Sequence, residues 1–385
     1  MAKLTNDEYI RYSRHLVLKE FGEQGQLKLK QARVLVVGAG GLGSPALLYL
    51  AAAGVGTIGI VDDDVVDVSN LQRQILFSID DVGKNKADAA AFRLHALNPL
   101  ITVKTHPVRL MASNAMNVVH DYDIVLDGTD NFPTRYLLND VCVLQDKPFI
   151  HAAILEFEGH VSVFNLRRSR DEFSPTYRDL FPVPPDAGSV RTCSDAGVLG
   201  VLPGMIGSMQ AAEVIKIITG IGKPLAGSLL ILDATTMETT FIRYENRNAR
   251  DAVKGLIDYE HFCGINPDKN KSLETENITS MKEVSVQELE ELKESGADFQ
   301  LIDVREPHEF DICDLGGELI PMGQIANNIE KISRDRRVIV HCRSGKRSAD
   351  VINYLEKNHN FQNLYNLTGG ILAWAREIDP SMPTY

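Results

Sequence analysis

The stretch A-R-V-L-V-V-G-A-G-G-L-G-S, Ala32 to Ser44, changes character halfway along, and the fold class follows from that change. Val34 to Val37 is a short run of apolar, mostly β-branched residues, as in a buried strand. It ends abruptly in glycines, and Pro45 to Ala53 then reads as a helix rich in Ala and Leu. Strand, glycine turn, helix is the phosphate-binding opening of a doubly wound α/β sheet. Glycine lets the backbone turn sharply and approach a phosphate, and the helix N-terminus presents free N–H groups to it. Gly38, Gly40 and Gly43 satisfy G-x-G-x-x-G, a spacing shared by NAD, FAD and ATP sites, so the rest of the chain must discriminate.

At 385 residues the chain is long enough for two domains, and 44% hydrophobic with 24% charged residues is ordinary globular composition. A net charge of −12 argues against sequence-independent binding to nucleic acid, which needs clustered positive charge. The N-terminus lacks an apolar signal core, and no apolar run approaches ~18 residues, so neither secretion nor a membrane span is expected and the expected location is cytoplasmic. The five cysteines, Cys142, Cys193, Cys263, Cys313 and Cys342, are scattered, odd in number and include no C-x-x-C. That is not a disulfide framework.

Upstream of the glycines, residues 5 to 30 read as polar helix, with Thr5 and Glu8 spaced as a capping box and Arg11 and Arg14 one turn apart. Downstream, the strand Ile58 to Val61 ends at Asp62, where a ribose hydroxyl is held in such folds. Asn70, Arg73, Gln74 and Lys86 follow. Together with the glycine turn they suit a triphosphate better than the less charged pyrophosphate of a dinucleotide. A helix over 84 to 98 and a strand over 101 to 106 come next. The strand Ile124 to Leu126 then ends at Asp127, Asp130 and Asn131, on the edge where open α/β sheets bind ligands. Acids there suit Mg²⁺, which takes one or two carboxylates besides phosphates and water. Alternating strands His160 to Asn165 and Ser228 to Asp233 predict a partly antiparallel edge. Between them, a long Pro- and Arg-rich loop from Arg167 to Thr192 leads to Cys193 and an apolar helix, Gln210 to Thr219.

The ordered set G-A-G-G-L-G-S, D-D-D-V-V-D-V-S-N-L-Q-R-Q, D-G-T-D-N and C-S-D-A-G-V-L-G-V-L-P-G resembles the ubiquitin-activating-like adenylyltransferases of the MoeB/ThiF/HesA family, over roughly residues 5 to 245. The resemblance implies MgATP-dependent adenylation of the C-terminal glycine of a small ubiquitin-like sulfur carrier of the MoaD or ThiS type. Adenylation makes chemical sense, because a free carboxylate is a poor electrophile and AMP a good leaving group. By the same resemblance Gly38, Gly40, Gly41 and Gly43 surround the nucleotide and Asp62 holds the ribose. Asn70, Arg73 and Lys86 hold phosphates, Asn131 belongs to the cofactor-binding set, and Asp130 binds Mg²⁺ or orients the reacting centre. Arg14, in R-Y-S-R-H, reaches the γ-phosphate from the partner subunit of a homodimer. Cys193 lies where relatives place a thiol near the activated carboxyl, to receive or resolve an acyl or disulfide intermediate.

Family members commonly hold zinc with two C-x-x-C pairs. Here the matching positions are Thr176 with Asp179 and Glu260 with Cys263, so three of four thiolates are missing. Structural zinc wants four soft ligands, and no zinc is expected. Apolar packing by Tyr177, Leu180, Phe181, Tyr259 and Phe262 is expected in its place.

Residues 1–246 thus form an adenylation domain and 247–282 a charged, aperiodic linker. Residues 283–385, where strands alternate with helices, form a second, smaller α/β unit. In it, H-C-R-S-G-K-R-S places Cys342 between a strand (Val338 to His341) and a helix (Ala349 to Lys357), with Arg343, Lys346 and Arg347 beside it. Loop N–H groups, a helix N-terminus and cations all favour a thiolate. The loop is one residue shorter than the phosphatase pattern H-C-x-x-G-x-x-R-S. With D-V-R-E-P-H-E-F and L-T-G-G-I-L-A-W it resembles rhodanese sulfurtransferases, which carry a persulfide. That resemblance gives Asp303 and Arg305 a supporting role. Cys142, in an apolar helix, reads as core; His151 and His160 read as structural.

The joint reading is adenylation of a carrier ending in Gly-Gly, then attack by a Cys342 persulfide to give a thiocarboxylate. The catalytic set is Cys342, Cys193, Arg14, Arg73 and Asp130. An upstream persulfide donor, such as a cysteine desulfurase, would recharge Cys342. Two alternatives are weaker. An NAD-dependent oxidoreductase leaves Arg73, Lys86 and Asp130 without work, and a non-catalytic rhodanese module leaves the intact Cys342 loop without a role.

Overall fold

Because β1 (Arg33–Val37) is apolar along its whole length after Arg33, it can be covered on both faces, and its last four residues are buried. The computed structural model describes residues 3–170, 172–185, 197–264 and 281–385. Its chain divides into two compact units, Met1–Ser272 and Leu273–Tyr385.

In the first unit β1 is joined by β2 (Thr57–Val61), β3 (Thr102–His106), β4 (Ile124–Asp127), β5 (Phe149–Leu155), β6 (Glu158–Phe164), β7 (Ser228–Asp233) and β8 (Thr239–Arg243). Their order is β3-β2-β1-β4-β5-β6-β7-β8. The first five run parallel and the last three antiparallel, the mixed sheet expected from the sequence. The switch point lies between β1 and β4, where the chain reverses its direction of growth and leaves a crevice at the carboxyl ends of the strands.

One apolar layer, with Leu47, Leu50, Ile58 and Leu94, fills one face of the sheet. The other face packs Leu35, Val125, Leu138 and Phe149. The helix Gly43–Ala53 starts two residues earlier than the sequence suggested and ends at Gly54 in the left-handed region. The helix Val201–Thr219 corrects two expectations: it begins nine residues before Gln210, and by length and composition it could cross a membrane. Here it is a core helix, lying against β5, β6 and the helix Gly43–Ala53 and burying Leu202, Ile206 and Val214.

The polar stretch 5 to 30 is three helices, Asn6–Arg11, Ser13–Leu16 and Gly22–Gln31, rather than one. The first break falls at Tyr12, whose buried hydroxyl accepts from Asn98 Nδ2 at 2.9 Å. The Thr5–Glu8 capping box is present.

The stretch 247–264, expected to belong to the linker, is instead folded onto the first unit. Short helices Ala249–Ala252 and Tyr259–Phe262 show no periodicity, but Tyr259 and Cys263 are buried in the second apolar layer. Asp140 is the hub. Its carboxylate accepts both Arg178 Nε (2.7 Å) and Nη2 (2.8 Å) and the Tyr259 hydroxyl (2.8 Å). The Arg178 guanidinium also lies over the rings of Tyr136 and Phe262.

The second unit is a five-stranded parallel sheet in the order β11-β10-β12-β13-β9, from β9 (Glu283–Val284), β10 (Phe299–Asp303), β11 (Glu318–Leu319), β12 (Arg337–His341) and β13 (Leu364–Leu367). Period-two alternation in β12 sends Val338 and Val340 to one core, with Ile352 and Leu364, and Ile339 to the other, with Leu289 and Trp374. The helix after β12, Lys346–His359, begins three residues earlier than Ala349.

Candidate functional site

The carboxyl ends of β1, β2 and β4 meet in a cavity of about 290 Å³ lined by Gly38, Gly40, Gly41, Asp62, Arg73, Lys86, Asp130 and Asn131. Its floor is backbone against backbone. Gly38 sits at φ +91°, and the Gly128 N–H donates to Val37 O at 2.7 Å. A Cβ on Gly43 would fall 1.9 Å from Gly38 O, and one on Gly128 2.5 Å from the same atom. Gly43 therefore serves close packing of the floor and is not among the residues that line the cavity.

Asp62 closes the glycine turn. Its Oδ2 accepts the Ala39 N–H at 2.8 Å and its Oδ1 the Asp64 N–H at 3.0 Å, while burial raises its pKa against the pull of those bonds. Lys86 is 5% exposed and pairs with Asp64, 2.5 Å away, whose own side chain faces solvent. Arg73 is held by the Ser69 carbonyl at 3.1 Å. Asp130 is exposed at the cavity wall, and its carboxylate has no hydrogen-bond or ion-pair partner among the described residues.

Asp127 is not a second metal-facing acid. Fully buried, it accepts from Thr129 N and Oγ1 through Oδ1. Its Oδ2 takes His151 Nδ1 at 3.1 Å and faces Arg135 Nε at 3.7 Å. Burial lowers the pKa of His151 against the pull of Asp127, and its ring orients that carboxylate, the structural part expected of it. The loop carrying Asp130 is thus set by a buried acid that the ligand never needs to touch. Arg135 was not anticipated. It is 7% exposed, lines the cavity, and its Nε lacks a hydrogen bond. Its only sequence signal is its place one turn after Asn131.

Asn70 is not among the lining residues; its Oδ1 accepts the Asp67 N–H. Asn131 lines the cavity, but its Oδ1 caps the helix Phe132–Leu144 through Thr134 N at 3.0 Å. Arg14 is exposed and outside the lining of its own chain's cavity. Cys193 lies outside the described residues. Cys142 is fully buried, and burial raises its pKa, which suits core and not chemistry.

At the zinc-equivalent positions the side chains are otherwise engaged. Asp179 accepts the N–H and hydroxyl of Thr176 on one oxygen and the N–H groups of Arg247 and Ala249 on the other. Glu260 pairs with Arg109. Cys263 is buried, which pushes its thiol up to about 11. Leu180, Phe181 and Phe262 pack against the apolar cluster that holds buried Tyr177 and Tyr259, the packing expected at the positions where relatives carry thiolates.

In the second unit Cys342 follows β12 and is 1% exposed. Its sulfur accepts the Gly345 N–H at 3.2 Å and lies 3.5 Å from Ser348 Oγ. Ser348 bonds in turn to Asn366 Oδ1 at 2.6 Å. Gly345, at φ +92°, turns the chain so that the loop N–H faces the sulfur before the helix begins. Around the loop, Arg347 pairs with Glu309 through both terminal nitrogens (2.6 and 2.7 Å). Asp303 and Arg305 form a fully buried pair, consistent with their supporting role.

Comparison with known proteins agrees with this division. A model of the ThiF family matches residues 12–253, and a model of the rhodanese-like domain matches 285–377. Over its whole length the chain is 45% identical to the probable adenylyltransferase/sulfurtransferase MoeZ of Mycobacterium tuberculosis, covering 97% of that protein. It is 42% identical to the adenylyltransferase and sulfurtransferase MOCS3 of Drosophila sechellia, again over its whole length and 86% of the relative. Among solved structures, PaaA matches at 25% identity and a TM-score of 0.54, over 64% of this chain and 76% of that one. Escherichia coli MccB matches at 25% identity and 0.53, over 63% and 72%. The glycine-floored cavity lies within the first match and the Cys342 loop within the second, so the chain belongs to the ThiF family and carries a rhodanese-like domain after it.

Proposed function

We propose that the first unit binds ATP and joins AMP to the C-terminal glycine of a ubiquitin-like sulfur carrier, and that Cys342 of the second unit then supplies sulfur. The observation that carries this is the pairing, in one chain, of a cavity holding Arg73, Lys86 and Asp130 with a loop that donates N–H to a buried thiol. A nicotinamide site has no use for that cation set or for an unpartnered Asp130.

In the first step a carboxylate oxygen of the carrier attacks the α-phosphorus and pyrophosphate leaves. Arg73 and Lys86 offset the charge that develops on the phosphates, the largest contribution a protein makes to such transfers. Asp62 orients the ribose, and the glycine floor lets the phosphates approach the backbone. Asp130 would hold Mg²⁺, whose part is to neutralise phosphate charge. In the second step the outer sulfur of the Cys342 persulfide attacks the acyl carbon and AMP leaves. Two electrons and two protons from a thiol reductant then cleave the resulting acyl disulfide, giving the carrier thiocarboxylate and the Cys342 thiol. Cys193 is a candidate for one of those thiols, and a persulfide donor recharges Cys342. Arg14, exposed in its own chain, acts on the partner subunit's nucleotide in a homodimer.

In a coupled assay, Cys342→Ala is expected to keep ATP–pyrophosphate exchange with carrier present and to form no thiocarboxylate. Normal thiocarboxylate formation by that variant would remove the second unit from the reaction. We further propose that the first unit folds without zinc, because Asp179, Glu260 and Cys263 offer one thiol among oxygens already bonded elsewhere. Stoichiometric zinc in purified protein would overturn this.

A further inference from the structure

If a carboxylate is to attack a triphosphate, two anions must meet in one cavity, and like charges resist that approach. Among the described residues four cations line the nucleotide cavity: Arg73, Lys86, Arg109 and Arg135. Arg73 and Lys86 come from the chain between β2 and β3, as Asp62 does, and Arg109 pairs with Glu260. Arg135 differs in origin and in setting. It alone of the four follows β4, in the helix Phe132–Leu144, and β5 is the next strand of the sheet.

Arg135 is 7% exposed, yet its donors are incompletely used. A guanidinium carries five N–H donors in a planar fork. One terminal nitrogen reaches the Thr129 carbonyl at a long 3.4 Å, and the group also meets the Tyr177 hydroxyl. Nε is buried without a hydrogen-bond partner. Asp127 leaves it so: Oδ2 stands 3.7 Å away and takes His151, while Oδ1 takes Thr129. The acid thus supports a charged arginine in the interior without saturating its donors. A buried donor left unmade is costly, and a ligand that completes it removes that penalty on binding.

The lining contributed from β5 onward is apolar. It comprises Ile154, in β5, and Val198. Val198 is held beside the β5–β6 turn by Glu156, whose N–H donates to Gly197 O at 3.2 Å and whose carbonyl accepts the Leu199 N–H at 3.0 Å. Apolar side chains and one buried guanidinium suit a chain end that has no side chain of its own and carries a carboxylate.

We infer that Arg135 receives the C-terminal carboxylate of the carrier, holding one oxygen while the other faces the α-phosphorus. This rests on the reading of the first unit as a carrier-adenylating site. It gives Arg73 and Lys86 to the nucleotide and Arg135 to the second substrate.

The test measures carrier binding to the full chain with α,β-methylene-ATP present, which cannot release pyrophosphate. The probe is a carrier protein ending in Gly-Gly, of the MoaD or ThiS type, prepared once with its free carboxylate and once as the C-terminal amide. The unaltered chain is expected to bind the acid about tenfold more tightly than the amide, the worth of one charge-assisted hydrogen bond. Arg135→Gln should bring that ratio to about one or below, with affinity for the ATP analogue within about twofold. Arg135→Lys keeps a cation beside Asp127 but not the planar fork, and should leave an acid preference of about threefold or less. It decides the matter if Arg135→Gln does not fold.

An acid preference kept at about tenfold in either variant, no such preference in the unaltered chain, or a loss of nucleotide affinity as large as the loss of carrier affinity would each overturn the inference. Absence of carrier-dependent ATP–pyrophosphate exchange in the unaltered chain, with MoaD-type and ThiS-type carriers alike, would instead overturn the reading on which it rests.

Discussion

The nucleotide cavity and the cysteine loop both sit at the carboxyl ends of parallel strands, yet they handle charge in opposite ways. In the cavity, Arg73 and Asp130 make no ion pair among the described residues, and Lys86 leans on an acid that is itself 65% exposed. At the loop, Asp303 and Arg305 are fully buried together, and Glu309 and Arg347 are 8% and 15% exposed. The difference follows from what each must hold. A nucleotide brings several charges of its own, so unpaired groups waiting for it make a binding site. A persulfide adds one small reactive atom to the cysteine, and a frame of already satisfied ion pairs around the loop holds it still. Open charge marks the place where a large ligand binds; closed charge marks the place where a covalent group is kept.

That contrast can be broken from either side. The largest effect is expected at the open site: Asp130→Asn should lower ATP–pyrophosphate exchange by about 100-fold or more, with thiosulfate–cyanide transfer unchanged. A loss in both activities would show that the two sites are not chemically separate. Next comes the floor under the open site. Gly43→Ala places a methyl group where Gly38 O already lies, 1.9 Å from the new Cβ, and should cost about 3 kcal/mol or more of stability. Urea unfolding measures it, and a loss below about 1 kcal/mol would mean that the floor yields easily.

The smallest effect belongs to the closed site. Burial alone would raise the Glu309 carboxyl, but the hydrogen bonds and charge of Arg347, with the Glu306 N–H, hold it at about 2, well under its ordinary 4.5. The unfolded chain therefore binds more protons than the folded one between these values. The stabilisation, about 2–3 kcal/mol after allowance for solvent screening, is complete above about pH 4.5 and is lost as pH falls toward 2. In Glu309→Gln the acid slope of the second unit's unfolding midpoint should flatten. An unchanged slope would mean that the frame is held by something besides its ion pairs.

The sequence was most legible where a residue type can do only one thing. Glycines between a strand and a helix, an acid at a strand end, and a cysteine in a short basic loop have few competing roles; Gly38, Asp62 and Asp130 line one cavity, and Cys342 sits between a strand and a helix. Asparagine was less legible, because it is both a ligand donor and the preferred helix cap. Asn131 spends its side-chain oxygen on Thr134, and that of Asn70 goes to Asp67. Partnerships across long sequence separations left no local signal at all. Asp140 with Tyr259, 119 residues apart, turned a supposed linker into part of a core, and Tyr385 meets Arg305 across 80 residues. Four-residue helices are too short to show a period, so 249–264 looked aperiodic for a reason unrelated to disorder.

The contact between Gly38, Gly43 and Gly128 also bears on how such an enzyme could change over generations. Three positions from two separate loops exclude one another's side chains, so a side chain at any of them requires the facing backbone to shift. Selection can rework the side chains ringing the cavity one at a time, trading one carrier or nucleotide preference for another. The floor beneath them resists that search, because a side chain at any of the three positions meets backbone.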